Sequence, residues 1–189
     1  MTRVLVAILL ALSLTACGEE ETAKIPPPAK LDRTAAAYFT GMIIVDHEGP
    51  KGQIHLRGQK EPLWFSNVRD TVAFTMLPEE SKDIAAIYVH DIGKAESWAH
   101  PGPDAWMPAR EGIYVIGSGR RGGMGAPEPV PFSSREVAQA FADAEGGRLV
   151  TFDEIPRDFV FGDPHAPQSA ESPSVDVMEQ QNHQTGERQ

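Results

Sequence analysis

The apolar positions change period along the chain, and each change predicts an element. From Val4 to Leu12 they are unbroken. A polar, proline-bearing stretch follows. Two short runs, Met42-Ile43-Ile44-Val45 and Gln53-Ile54-His55-Leu56, then flank Gly49-Pro50-Lys51-Gly52, a hairpin signal. Val68, Val72 and Met76 recur at helical spacing behind Ser66, a helix-capping residue type, with Pro78 beyond the last turn. The β-branched and aromatic content of Ile84 to Val89 predicts a strand, as does that of Gly112-Ile113-Tyr114-Val115-Ile116. Ser133 with Glu136 reads as a capping box, and Val137, Ala140, Phe141 and Ala144 as one apolar stripe. Gly146-Gly147 ends that helix, and Arg148 to Phe152 reads as the last strand.

Part of this pattern occurs twice. Glu61-Pro62-Leu63-Trp64-Phe65-Ser66 returns as Glu128-Pro129-Val130-Pro131-Phe132-Ser133, with Phe74 and Phe141 at the same distance downstream and a strand behind each helix. The two copies predict an α+β fold over residues 38–162. It consists of two related β-β-α-β units, about 38–95 and 105–162, packed side by side as one compact domain.

Both ends read differently. Arg3 and the apolar run after it form the n- and h-regions of an export signal, too short to span a bilayer, which needs about 20 apolar residues. The signal closes on Leu14-Thr15-Ala16-Cys17, a bacterial lipobox, so residues 1–16 are expected to be removed and Cys17 lipidated. Cys17 is the only cysteine in the chain, which leaves no disulfide framework to build. Two or three acyl chains on it make a stable anchor. With Gly18 following, the resemblance to sorted lipoproteins implies the outer membrane, facing the periplasm. Residues 17–37, with an acidic run and Pro26-Pro27-Pro28, are expected to be an extended tether. Residues 163–189 lack the apolar content to fold and are expected to be disordered. The 17 basic residues face 27 acidic ones, a formal net charge of −10, which argues against nucleic acid and anionic lipid as partners.

The catalytic motifs drop out. Gly117-Ser118-Gly119-Arg120-Arg121-Gly122 matches a dinucleotide fingerprint after a strand. That fingerprint needs a helix at its third glycine, and Pro127, Pro129 and Pro131 forbid one. It is expected to be a flexible glycine loop. There is no G-x-S-x-G, no H-E-x-x-H and no spare thiol, so nothing points to an enzyme. What remains is a set of soft donors. Met124, among glycines in a polar loop, has no helix or strand stripe to join. Met42 follows Gly41, and His47 and His55 lie either side of the first predicted turn. If Ile44 paired with His55, Met42 and His55 would share one face. Thioether and neutral imidazole together suit copper(I), and thioethers bind it without losing a proton. The candidate copper(I) ligands are Met124, Met42, His55 and His47, with a core filler or a surface methionine the plainer alternative for Met124.

The run Tyr38-Phe39-Thr40-Gly41-Met42-Ile43-Ile44-Val45-Asp46-His47-Glu48-Gly49-Pro50-Lys51-Gly52-Gln53-Ile54-His55 resembles the signature of the NosL family, accessory lipoproteins of nitrous oxide reductase. So do Glu61 to Asp70 and Gly122-Gly123-Met124-Gly125-Ala126-Pro127-Glu128. The resemblance implies a periplasmic copper(I) carrier that supplies the reductase's copper–sulfide centre. It also implies two partners, the reductase and a membrane ABC-transporter complex of the same maturation system. A docking or assembly lipoprotein with incidental metal binding is the alternative. Many members carry Cys-Gly-Met where this chain has Thr40-Gly41-Met42. With Thr40 there and Cys17 lipidated, the site must rest on methionine and histidine.

Overall fold

The computed structural model describes residues 25–162. The leader, Cys17 and the tail from Asp163 onward lie outside them, so the expectations made there stay with the sequence.

The chain folds as α+β, and the doubled sequence becomes a doubled topology. The first copy supplies β1 (Gly52–Leu56), β2 (Leu63–Phe65), α1 (Val68–Met76) and β3 (Ile84–His90). After an added strand, β4 (Trp106–Pro108), the second supplies β5 (Ile113–Ile116), β6 (Val130–Phe132), α2 (Arg135–Glu145) and β7 (Arg148–Thr151), and α3 (Arg157–Phe161) follows. The sheets run β2-β1-β3-β4 and β6-β5-β7, with each first-sheet and second-sheet pairing antiparallel. In both, the first strand of the unit lies between its second and third. The Phe-Ser of each repeated motif ends an edge strand and leads straight into a helix.

One core joins the units. Ile54, Phe65, Val72, Phe74 and Val89 from the first half pack in a single cluster with Tyr114, Ile116, Val150 and Phe152 from the second. Alternation along β5 sends Val115 to the other face, where Phe132, Ala138 and Ala142 cover it. Burying both faces of β5 is what makes one domain of two units.

Several local expectations shift. Met42 to Val45 is not a strand: Ile44–Asp46 is a 3-10 turn, and Ile44 N–H donates to the carbonyl of Ala35 at 3.0 Å. Its backbone pairing is thus spent on the N-terminal segment, and no hairpin forms across Gly49–Gly52. His55 pairs instead with Ala86 of β3, so the register that would have placed Met42 beside it does not exist. The helices begin one residue late. Asn67 caps α1, accepting from Asp70 N–H, and Ser134 caps α2, accepting from Val137 N–H. Ser66, fully buried, has no partner for its hydroxyl, and Glu136 stands one place too early for a capping box. The buried stripe of α2 is Ala138, Phe141 and Ala142, leaving Val137 43% exposed.

The described part of the tether is no spacer. Ala29 and the Gln53 side chain exchange two hydrogen bonds, 2.7 and 3.2 Å, and Tyr88 Oη–H donates to the Pro26 carbonyl at 2.7 Å. Ala36 bridges Ile43, Ala37 bridges Trp64, and Ala35 and Ala37 are buried with Ile44. Residues 26–37 form a strap across the face of the first sheet that carries Gln53, His55 and Tyr88.

Candidate metal centre

No helix follows β5 before β6, so the glycine-rich sequence is a loop, as its prolines require. It is a closed one. Arg121 bridges Pro127, Gly122 N–H donates to Ala126, and Gly125 N–H donates to Gly122. Met124 stands at its tip, 44% exposed.

The glycines before Met124 serve close approach. A Cβ on Gly123 would stand 2.6 Å from the Glu48 carbonyl and 2.7 Å from the His47 Cβ. A Cβ on Gly122 would stand 2.3 Å from a Glu128 carboxylate oxygen. The loop carrying Met124 is therefore pressed against the turn carrying His47. On its other side that turn is held by Trp98, whose carbonyl accepts from Gly49 N–H at 2.9 Å. Sequence distance hides this pairing. The structure brings Met124 and His47 into neighbouring loops, both reaching the surface.

Met42 sits earlier on the segment that leads to His47, in a tight turn closed by Ala37 N–H donating to the Met42 carbonyl at 2.8 Å. Met42 is 41% exposed. Thr40, at the position of the missing cysteine, accepts from Met42 N–H through its hydroxyl at 3.3 Å.

His55 lies elsewhere. It is 6% exposed, beneath the strap, with Tyr88 edge-on to its ring. Its Nε2 is 2.8 Å from Gln53 Oε1, and that amide is fixed by its two bonds to Ala29, so the imidazole donates. Burial lowers its pKa, which keeps it neutral. Three strand residues, roughly 10 Å, separate it from Gly52, near which the His47 turn ends.

His47 also borders a cavity of about 200 Å³ shared with His90, His100 and Lys51. Among the described residues, however, no three His, Cys, Asp or Glu side chains gather to hold a metal ion. A metal site here has to draw on methionine. Two methionines, with soft thioether donors, and a histidine lie on loops at the surface.

Sequence reasoning passed over the polar residues behind these loops. Glu128, 2% exposed, accepts from Val68 N–H at 2.6 Å. Buried Lys51 donates to the Glu48 and Gly49 carbonyls, both at 2.8 Å. The one available signal was the repeat itself, whose glutamate is exposed in the first copy (Glu61) and buried in the second.

The NosL family model matches residues 28–160. The copper-binding lipoprotein NosL of Achromobacter cycloclastes is 48% identical over 153 residues, 80% of this chain and 78% of that protein. Its namesake from Stutzerimonas stutzeri is 36% identical over the same shares. The crystal structure of the copper chaperone NosL from Shewanella denitrificans aligns with a TM-score of 0.65 at 34% identity, covering 70% of this chain and 98% of that one.

Proposed function

Since the chain belongs to the NosL family, we propose that it is a lipid-anchored periplasmic carrier of one copper(I) ion, with Met124, Met42 and His47 as ligands. The observation that carries this reading is the contact of the Met124 loop with the His47 turn at the surface. Copper(I) favours soft donors and low coordination by neutral groups. Exposure of both methionine residues lets a recipient's ligands enter before the carrier's leave, which is what a carrier needs and a permanent site does not. His55, sealed under the strap, serves the fold.

The recipient is nitrous oxide reductase, whose copper–sulfide centre the carrier supplies, with a membrane ABC-transporter complex as the second partner. Lipid on Cys17 holds the carrier to the outer membrane. The test is transfer. Anaerobic mixing of the copper(I)-loaded protein with copper-free reductase and the transporter complex restores reductase activity in proportion to copper lost from the carrier. Activity restored equally by free copper(I), with none leaving the carrier, contradicts the proposal.

A further inference from the structure

The His47 turn and the Met124 loop come from opposite halves of the chain, and neither lies in a strand or helix. Something else must fix their separation, because a metal site loosened by an ångström loses its geometry.

Two buried ionisable residues stand where the loops meet. Glu128 reaches from the end of the glycine loop to the start of α1. One of its carboxylate oxygens accepts from Val68 N–H, and the other lies so close under Gly122 that only glycine fits. Lys51 holds the other loop from behind. Its ammonium donates to the carbonyls of Glu48 and Gly49, and its backbone is tied to β3, accepting from His90 N–H and donating to His90 Nδ1. The charges attract one another, while burial works against each, raising the carboxyl pKa and lowering that of the ammonium.

Stability alone does not account for this arrangement. Burying two ionisable groups is costly, and well-packed apolar residues often serve a core as well. What the two side chains supply is direction: Glu128 accepts from the Val68 N–H and Lys51 donates to carbonyls, one loop each.

We infer that Glu128 and Lys51 are positioning residues for the copper(I) site, pinning the Met124 loop and the His47 turn at the spacing the metal requires. The inference rests on the reading of Met124 and His47 as ligands. It predicts that either loop, once released, lets its ligand drift while the domain stays folded.

The test uses the whole chain with Glu128→Leu, which cannot accept from Val68 N–H, and Lys51→Leu, which cannot hold the two carbonyls. Should one variant not fold, the other carries the test. Affinity for copper(I) is measured against a chromophoric chelator, with X-ray absorption of the loaded protein and thermal unfolding beside it. Each folded variant is expected to bind copper(I) at least tenfold more weakly, with fewer sulfur neighbours per copper when Glu128 is replaced and fewer nitrogen neighbours when Lys51 is replaced. Folded variants with wild-type affinity and an unchanged absorption spectrum overturn the inference, whatever the change in unfolding temperature. Met124→Leu and His47→Ala are run alongside: if these also leave affinity unchanged, the ligand reading itself has failed.

Discussion

Met42 and Met124 are exposed residues, so replacing either removes chemistry with little loss of packing. Met124→Leu should cost well under about 1.5 kcal/mol of stability, the usual limit for a volume-conserving swap. Copper(I) affinity should fall at least tenfold, or about 1.4 kcal/mol. The double variant with Met42→Leu should fall further. Met76→Leu, partly buried against the core, is the control that leaves affinity unchanged; competition titration reads all three. His55→Gln should behave in the opposite sense, lowering stability through the Gln53 contact and sparing copper. His90 has a different consequence. Its ring lies against that of Trp106, centroids 3.9 Å apart and tilted by 40°, and burial, with the charge of Lys51, pushes its pKa down from 6.5 to about 3. Between those values the unfolded chain takes a proton that the native state refuses. Stability should therefore fall as pH drops from about 6.5 towards 3, by up to about 1.4 kcal/mol per unit. In chemical denaturation across that range, His90→Gln should flatten the curve, and an unaltered slope would remove His90 from the account.

Strands and helices were legible wherever their own side chains decide the structure. Ile84–His90 and Ile113–Ile116 are continuous apolar runs because they are covered on both sides or lie mid-sheet, and that is visible in composition. Met42 to Val45 has the same composition but loses its strand to a contact the sequence does not announce, the bond from Ile44 to Ala35. The caps moved for a related reason. Ser66 and Ser133 are suitable residue types next to suitable neighbours, and only the backbone at Asn67 and Ser134 tells which one turns its side chain onto the free amides. That difference is measurable. Asn67→Ala and Ser134→Ala should each cost about 1 kcal/mol, within the usual 0.5–2 for a lost cap. Ser133→Ala, on an exposed side chain, should cost a few tenths at most, and equal losses at Ser133 and Ser134 would contradict the assignment. The candidate site was legible as residue types and not as a place. Met124 stood out because glycines gave it no stripe to join, whereas its nearness to His47 depends on two loops meeting across the repeat. His55, grouped with them through an imagined hairpin, belongs under the strap.

Across the whole molecule, the two units share one core and the strap closes the first sheet, so the segment after the acidic run is part of the domain. Deleting residues 18–24 should leave the unfolding midpoint unchanged. Deleting residues 18–37 removes three hydrogen bonds made by Pro26 and Ala29, three more that Ala35 and Ala37 make to Gly41, Met42 and Ile44, and uncovers Ile44. At about 1 kcal/mol each, the six lost bonds alone should lower stability by about 6 kcal/mol, seen as a shift in urea midpoint. An unshifted midpoint would show that the strap is dispensable. The same architecture places Met124 and His47, from opposite halves of the chain, in adjoining surface loops, and their proposed sharing of one copper(I) ion is the claim on which the rest depends. X-ray absorption fine structure of the anaerobic copper(I)-loaded protein tests it most directly, compared among wild type, Met124→Leu and His47→Ala. The structure predicts mixed sulfur and nitrogen neighbours in the wild type, one sulfur fewer in the first variant and one nitrogen fewer in the second. Identical neighbours in all three would place the copper elsewhere and contradict the account.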